Sequence, residues 1–340
     1  MRGFSEAANE VIEMRRRDFI GVIGGAALAR PCAADAQQPG KVWRIGSVLV
    51  TTPERGAYLA QALEQGLTDL GYVLGRDIVL SHRFAGPQPD QVQDVIMSLL
   101  PQIDLLVVRG TVGGMAAKKV ADAVPTVFVS VGAPVEIGLV QSLAHPGGNM
   151  TGMSFEAATE TYGKRLQILK EIVPDLKRAG VLRAVGDPNV GFAMTSLEGA
   201  APKLGVVLVP VDIKSTDDLE AAFAKIKNSE VEALLVIAGV LTFTIGSEIA
   251  GRALAAHLPL CSPFRETVIA GGLVSLGPDL AAMTRQAAAL IDKIIKGTRP
   301  ADIPVEQPTR YELYINLKTA RLLNLTIPPT LLARADEVIE

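Results

Sequence analysis

The chain has 340 residues, 49% of them hydrophobic, with 33 basic and 36 acidic side chains and a formal net charge of −3. That length fits two ordinary domains better than one. The balanced charge, with no basic stripe, excludes the electrostatic footprint of a nucleic-acid binder, and no nucleic-acid partner is expected.

Residues 1–13 are polar and mixed in charge. From Met14 the character changes: Arg15-Arg16-Arg17-Asp18-Phe19-Ile20 leads into a weakly apolar, Gly/Ala-rich run to Ala29, and Ala34-Asp35-Ala36 precedes Gln37. A basic n-region, a short h-region and an A-x-A site make an export signal. Arg16 and Arg17 ahead of Phe19 in a mild apolar run resemble a twin-arginine signal. Residues 1–36 are therefore read as a leader, taken up by the export machinery and cleaved after Ala36, with Met14 as the expected initiator and 1–13 as an upstream artefact. Cys32 falls in the discarded part, since Ala29-Arg30-Pro31 is a poor lipobox. Cys261 is then alone in the mature chain, so no intramolecular disulfide is expected and the core must supply stability. No later apolar stretch reaches the roughly 18 residues of a membrane span. The expected location is the periplasm.

In the mature chain Val42–Val50 reads as the first strand, with Thr51-Thr52-Pro53 at its carboxyl end. Leu59, Ala62, Leu63, Gly66, Leu67 and Leu70 share one face of a helix over Ala57–Leu70, stopped by Gly71. Ile78–Leu80 is the second strand, trailing to Phe84, and Val92–Leu100 a helix ended by Pro101. Leu105–Val108 is an apolar strand, Arg109-Gly110-Thr111 a turn, Val112–Ala123 a small-residue helix and Thr126–Val129 another strand. Val135–Leu143 is a short amphipathic segment, His145–Asn149 a turn and Thr151–Ser154 a crossing strand. The pattern then restarts with a helix over Leu166–Val173, a strand over Arg178–Leu182, a helix over Phe192–Leu204 and a strand over Val206–Val209. Thr216–Lys227 is a helix with Thr216 as its expected N-cap. Leu234–Gly239 next repeats Leu105–Gly110 almost residue for residue, and a helical stretch, Pro259 and Leu260–Ser262 follow. Gly271–Leu276 is extended, Asp279–Lys296 a strong amphipathic helix, Tyr311–Ile315 a strand, and Asn316 caps Leu317–Leu323. Pro328-Pro329 precede a last helix.

Continuous apolar strands alternating with helices specify parallel sheets covered on both faces. The fold class is α/β: two doubly wound parallel-sheet lobes joined by three hinge crossings near Met153, Leu276 and Val305. Residues 41–153 with 277–304 form the first lobe, and 154–276 with 305–340 the second. The helix Asp279–Lys296 is expected to pack on the first lobe. Ligands of such sheets sit outside the carboxyl ends of the strands, so a cleft between the lobes is the working site.

Arg109–Gly114 misses G-x-x-x-x-G-K-[ST] and is no phosphate loop of that class. It reads instead as a turn, exposed when the lobes are apart, whose backbone N–H groups and Thr111 hydroxyl suit an anionic or carbonyl oxygen. The alternative is a βα turn without a ligand. Arg109 either clamps a carboxylate or forms a structural ion pair. Thr51 and Thr52 either bind or cap the next helix. Phe155 stacks on a solute or packs the hinge. Asp187 and Glu266 accept from an ammonium or hydroxyl, or are solvated acids. Gly110, Ser130, Gly239 and Val240 complete the cleft turns. His82, His145 and His257 follow no metal spacing. Cys261 on an apolar strand is an inert thiol, and no serine sits in a nucleophile elbow. No cofactor, metal or catalytic residue is expected, and the chain is not read as an enzyme.

Several stretches resemble the extracytoplasmic substrate-binding proteins of ABC-type importers, in the group that includes tryptophan- and tyrosine-type binding proteins. They are Gly66-Leu67-x-x-Leu70-Gly71-Tyr72-x-x-Gly75, Pro146–Gly152, Gly271-Gly272-Leu273, Asn316–Ala320 and the tail Pro328-Pro329-x-Leu331-Leu332-x-Arg334–Ile339. The resemblance spans the mature chain. It implies a type I periplasmic binding protein fold, a small organic solute bound in a hinged cleft, and an inner-membrane ABC permease as partner. Leu276-Gly277 departs from it where many members have an aromatic residue, and Gly239-Val240-Leu241 lacks polar groups to grip an amino acid. An amino acid or related carboxylate is the expected solute. An exported enzyme on the same fold and a sensor for a membrane signalling protein are the alternatives.

Overall fold

The computed structural model describes residues 41–156 and 160–340. The export signal, with Arg16, Arg17 and Ala36, lies outside the described residues. Two sheets carry the fold. The first is built from β1 (Trp43–Val50), β2 (Ile78–Ala85), β3 (Leu105–Arg109), β4 (Thr126–Val131) and β5 (Met150–Ser154), all parallel, in the order β2-β1-β3-β4-β5. The second uses β6 (Arg178–Ala184), β7 (Val207–Ile213), β8 (Ala233–Val236), β9 (Leu260–Ser262), β10 (Val274–Gly277), β11 (Glu312–Asn316) and β12 (Glu337–Ile339), in the order β12-β11-β10-β9-β8-β6-β7. Only β11 runs antiparallel to its neighbour β10. Strands β7-β6-β8-β9-β10 thus repeat the winding of β2-β1-β3-β4-β5, and the Leu105/Leu234 match in sequence marks equivalent central strands. Both are buried on both faces, as crossover helices on each side require.

The helices are α1 (Pro53–Asp69), α2 (Pro89–Leu99) and α3 (Gly110–Val120) in the first half. In the second they are α4 (Thr161–Ile172), α5 (Asn189–Leu204), α6 (Leu219–Asn228), α7 (Val240–Thr244), α8 (Gly246–Ala255) and α9 (Arg265–Ile269). The chain ends with α10 (Leu280–Ile295), α11 (Leu317–Leu322) and α12 (Pro329–Leu332). One apolar core joins the inner faces of both sheets, including Met153, Phe155, Phe243 and Phe264. Two further cores fill the outer faces beneath α2 and α3 and beneath α6 and α8.

Four local expectations are corrected or made specific. Strand β3 continues through Arg109 and α3 starts at Gly110, so no separate turn stands between them. The amphipathic segment Val135–Leu143 proves to be a run of turns and bends, and Ala133 at φ 44 and Gly138 at φ 68 keep it from winding into a helix. Thr216 caps nothing: it opens a 3-10 turn, Thr216–Asp218, that leads into α6 and is capped by Ser215, whose side chain accepts from the Asp217 N–H, with Asp218 completing a capping box. Val305 lies in no strand; Glu306 beside it makes a single bridge to Met153.

After β10 the chain enters α10, whose N-cap Asp279 accepts from the Ala281 and Ala282 amides. α10 packs along α1, with Arg285 Nε donating to Asp69 at 2.6 Å and Tyr72 Oη to Asp292 at 2.8 Å. The chain then returns past β5, where the Ser154 N–H donates to Glu306 O and the Glu306 N–H to Gly152 O. At this junction Arg165 and Glu156 form an ion pair at 3.0 Å, the side chains 0% and 1% exposed. Arg165 Nε also donates to Leu276 O at 2.8 Å, and Tyr311 Oη to Glu156 Oε2 at 3.3 Å. One buried pair therefore touches the chain beside each of its three passages between the sheets.

Candidate functional site

The carboxyl ends of the two sheets face each other across a closed seam. Thr51 Oγ1 lies 3.3 Å from Thr244 Oγ1, Arg55 bonds Ser247, and Tyr58 Oη donates to Glu266 Oε1 at 2.7 Å. Behind this seam is a cavity of about 40 Å³, lined among others by Val50, Ser130, Ala238 and Gly239. A larger groove of about 1020 Å³ lies outside, between α4 and α5. None of the buried unpartnered side-chain atoms among the described residues belongs to its lining. Three such atoms lie on the cleft side: Arg109 Nη1 and Asn189 Oδ1, on residues that line the inner cavity, and Glu266 Oε2, on the residue that Tyr58 bonds across the seam. Buried groups of this kind ordinarily find a partner, which makes the inner cavity the candidate site.

Arg109 ends β3 and is the N-cap of α3. Its guanidinium lies 5.4 Å from the Phe243 ring. Burial lowers its pKa, and the neighbouring Tyr58 and Glu266 oppose that shift. No ion pair within 4 Å engages Arg109 among the described residues. Gly110 has φ 74, and a Cβ on it would come within 2.9 Å of Val240 Cγ2 in the opposite lobe. Both the backbone and the space therefore require glycine.

Thr111 is 6% exposed with the lobes in contact, and its Oγ1 accepts from the Gly132 N–H at 3.0 Å. That bond holds the end of β4, where the register shifts between Val129 and Val131 and Ser130 adopts φ 62. A non-glycine residue in that conformation is strained by about 1–3 kcal/mol. Phe155, 2% exposed, packs 5.7 Å from Phe264, which in turn meets Phe243 edge-on at 5.1 Å.

Asp187 is half-buried beside Gly239, the N-cap of α7, and its Oδ1 accepts from the Asn189 N–H at 2.9 Å. Burial pushes its carboxyl up to about 6, against the pull of the Asn189 and Val240 amides. It lines a separate mouth pocket of about 170 Å³ with Pro87, Val112, Lys214 and Leu241. Thr51 is in the seam, and Thr52 is the exposed N-cap of α1. The structure thus brings Arg109, Gly110, Thr111, Ser130, Phe155, Gly239 and Val240 to one cavity; Asp187 lines the separate mouth pocket and Glu266 bonds Tyr58 in the seam, both outside that cavity's lining.

Sequence reasoning missed Tyr58, Asn189, Phe243 and Phe264. Asn189 carried a signal, because Asp187-Pro188 before it sets a helix start at the carboxyl end of β6. Beside Gly239-Val240-Leu241, which lack polar side chains at the cavity, Asn189 places an unpartnered Oδ1. The three phenylalanines also give the cleft an aromatic wall that the composition, 4% aromatic, did not suggest.

Residues 47–339 match the family described as ABC transporter substrate binding protein. A tyrosine-binding protein of Clostridioides difficile is 26% identical over 265 residues, covering 77% of this chain and 75% of that protein. Two crystal structures superpose with a TM-score of 0.82 each, covering 88% of this chain and 100% of theirs. One is a conserved domain protein from Vibrio cholerae, 25% identical. The other is an ABC domain from Streptococcus pneumonia in complex with L-Trp, 22% identical.

Proposed function

From the premise that the chain belongs to the family of ABC transporter substrate binding proteins, we propose that its solute is an amino acid or a related small carboxylate. The family makes it an extracytoplasmic solute receptor that serves an ABC permease. The observation that carries the ligand class is the buried, unpartnered Nη1 of Arg109 in a cavity sealed by the two lobes. A guanidinium nitrogen has only hydrogens to offer, and a carboxylate is the acceptor that satisfies it most strongly. Glu266 Oε2 in the seam offers the opposite partner, an acceptor for an ammonium. The aromatic wall supports an apolar side chain on the solute, and the tyrosine- and tryptophan-binding relatives support the same class.

Closure on the solute, with lobes 41–153 plus 277–304 and 154–276 plus 305–340 moving about the crossings, is part of this reading. So is the absence of catalysis: the polar groups at the cavity are a binding set. Passage to the periplasm by the twin-arginine route belongs to it as well. Replacing Arg16 and Arg17 together by lysine is expected to block export, read by mass spectrometry of the periplasmic fraction. Unaffected export refutes that part.

The ligand class is tested by a thermal-shift screen over amino acids and organic acids, then calorimetric titration of the hits. A true solute at 100 times its Kd stabilises the protein by about 2.7 kcal/mol. Arg109→Met should weaken binding by about ten- to hundredfold, the worth of a hydrogen bond to a charged group. Unchanged affinity would remove Arg109 from the site, and hits confined to uncharged solutes would overturn the ligand class.

A further inference from the structure

We infer that Asn189 determines specificity. Its side-chain oxygen, held toward the cleft by Tyr162, selects solutes that carry an N–H or O–H donor beside the carboxylate. The inference rests on the carboxylate reading above and deepens it from carboxylates in general to amino or hydroxy acids.

The argument starts from which way the amide points. Asn189 Nδ2 donates to the Ala238 carbonyl oxygen at 2.9 Å and to Tyr162 Oη at 2.9 Å. A carbonyl oxygen has no proton to give. A flipped amide would therefore set oxygen against oxygen and lose this bond. Both amide hydrogens are used, and Oδ1 faces the other way as an acceptor only.

Tyr162 is itself fixed. It is 0% exposed, its hydroxyl also accepts from the Ala238 N–H at 3.3 Å, and its ring stacks 4.6 Å from the Arg165 guanidinium. The orientation of Asn189 is thus set from behind by the second lobe and does not depend on a ligand.

Asn189 is 3% exposed, lines the inner cavity, and its Oδ1 has no hydrogen-bond partner. It lies against Gly132 of the first lobe, where a Cβ would come within 2.3 Å of it. Only glycine lets the amide oxygen approach that closely. An acceptor placed this way in a dry site costs free energy until something donates to it. Nη1 of Arg109 makes the opposite demand from the other lobe. In about 40 Å³ the two demands fall on the same few ligand atoms. A plain carboxylate answers one of them, whereas an amino or hydroxy acid answers both. The discrimination follows the rule that a site built to bond a polar group rejects the analogue lacking it.

The test is calorimetric titration with matched series: L-phenylalanine, L-3-phenyllactate and 3-phenylpropanoate, then L-leucine, L-2-hydroxy-4-methylpentanoate and 4-methylpentanoate. The wild type should bind the amino or hydroxy member of at least one series about ten- to hundredfold more tightly than the plain acid. Asn189→Ala should remove that gap, read as the ratio of the two affinities within each series. Tyr162→Phe, which frees one amide hydrogen but keeps Asn189, should narrow the gap and serves as the second variant if Asn189→Ala does not fold.

A purely structural role would weaken all members alike, and that result overturns the assignment. Equal binding of plain and donor-bearing acids by the wild type overturns it while leaving the carboxylate reading intact. Binding of no member overturns the carboxylate reading, and the assignment falls with it.

Discussion

Replacing Arg165 by methionine is expected to cost about 3–5 kcal/mol of folding stability. The guanidinium is 0% exposed and makes two bonds, Nη1 to Glu156 Oε1 at 3.0 Å and Nε to Leu276 O at 2.8 Å. Methionine fills much of the volume but leaves Glu156 buried with its cationic partner gone. Burial already pushes the Glu156 carboxyl up, and Arg165 opposes that shift. In the variant the carboxyl rises further, so it takes up its proton on folding over a wider pH range. Because its folded pKa then exceeds its unfolded value, the loss should be smaller near pH 5 than near pH 8. Arg165→Met combined with Glu156→Gln removes both charges and should recover a large part of the loss, as neutralised buried pairs do. The assay is urea unfolding followed by far-UV circular dichroism at both pH values, for the wild type, both single variants and the double variant. A single-variant loss below about 1 kcal/mol, with no coupling in the double-mutant cycle, would refute the view that this pair ties the three passages together.

Two further changes follow from the same physics. Asp187, raised from its ordinary 3.8 to about 6 by burial, binds its proton more tightly when folded, so its contribution falls as pH rises from about 4 to 6. That rise corresponds to at most about 3 kcal/mol. Asp187→Asn should flatten this part of the stability–pH profile in thermal unfolding, and an unchanged profile would refute the assignment. Thr111→Val removes the acceptor of the Gly132 N–H and should cost about 1–3 kcal/mol without ligand. Equal melting temperatures for variant and wild type would show that the bond does not hold the end of β4.

The strands were legible because parallel, doubly covered strands are short unbroken apolar runs, and Leu105–Val108 and Leu234–Ile237 announce themselves as such. Their neighbours were legible from punctuation: Pro125 and Pro259 precede β4 and β9, and Asn316 caps α11 as read. The cleft turns were located by the rule that ligands sit at the carboxyl ends of parallel strands. The partners of those turns were not legible. Phe243 meets Arg109 only when two lobes far apart in sequence are brought together, and Phe264 meets Phe155 only after most of the second lobe has folded between them. Arg165 and Glu156 gave no signal, since an arginine and a glutamate nine residues apart on a polar stretch are normally solvated. Their burial depends on Leu276 and Tyr311, which lie more than a hundred residues away. The structural bond of Thr111 was hidden for a related reason: the Gly132 amide that donates to its hydroxyl belongs to the next strand's end.

The cleft's unpartnered atoms bear on how such a receptor opens and closes. With the lobes in contact, Arg109 Nη1, Asn189 Oδ1 and Glu266 Oε2 are all buried without a partner. Each costs about 1–3 kcal/mol relative to the hydrated state. Across the seam stand Thr51–Thr244, worth about 0.5–1.5 kcal/mol, and Arg55–Ser247 and Tyr58–Glu266, bonds with one charged partner worth about 1.5–3 kcal/mol each. Among these polar terms, closure over an empty cavity is close to balanced. A solute that donates to Asn189 and Glu266 and accepts from Arg109 removes several kcal/mol of penalty at once. Moving a two-state equilibrium from 1:99 to 99:1 takes about 5.5 kcal/mol, which is the size of two or three such groups satisfied together. On the proposed site, the groups that would recognise the solute are the same groups that oppose closure in its absence, and the hinge would need no separate sensor.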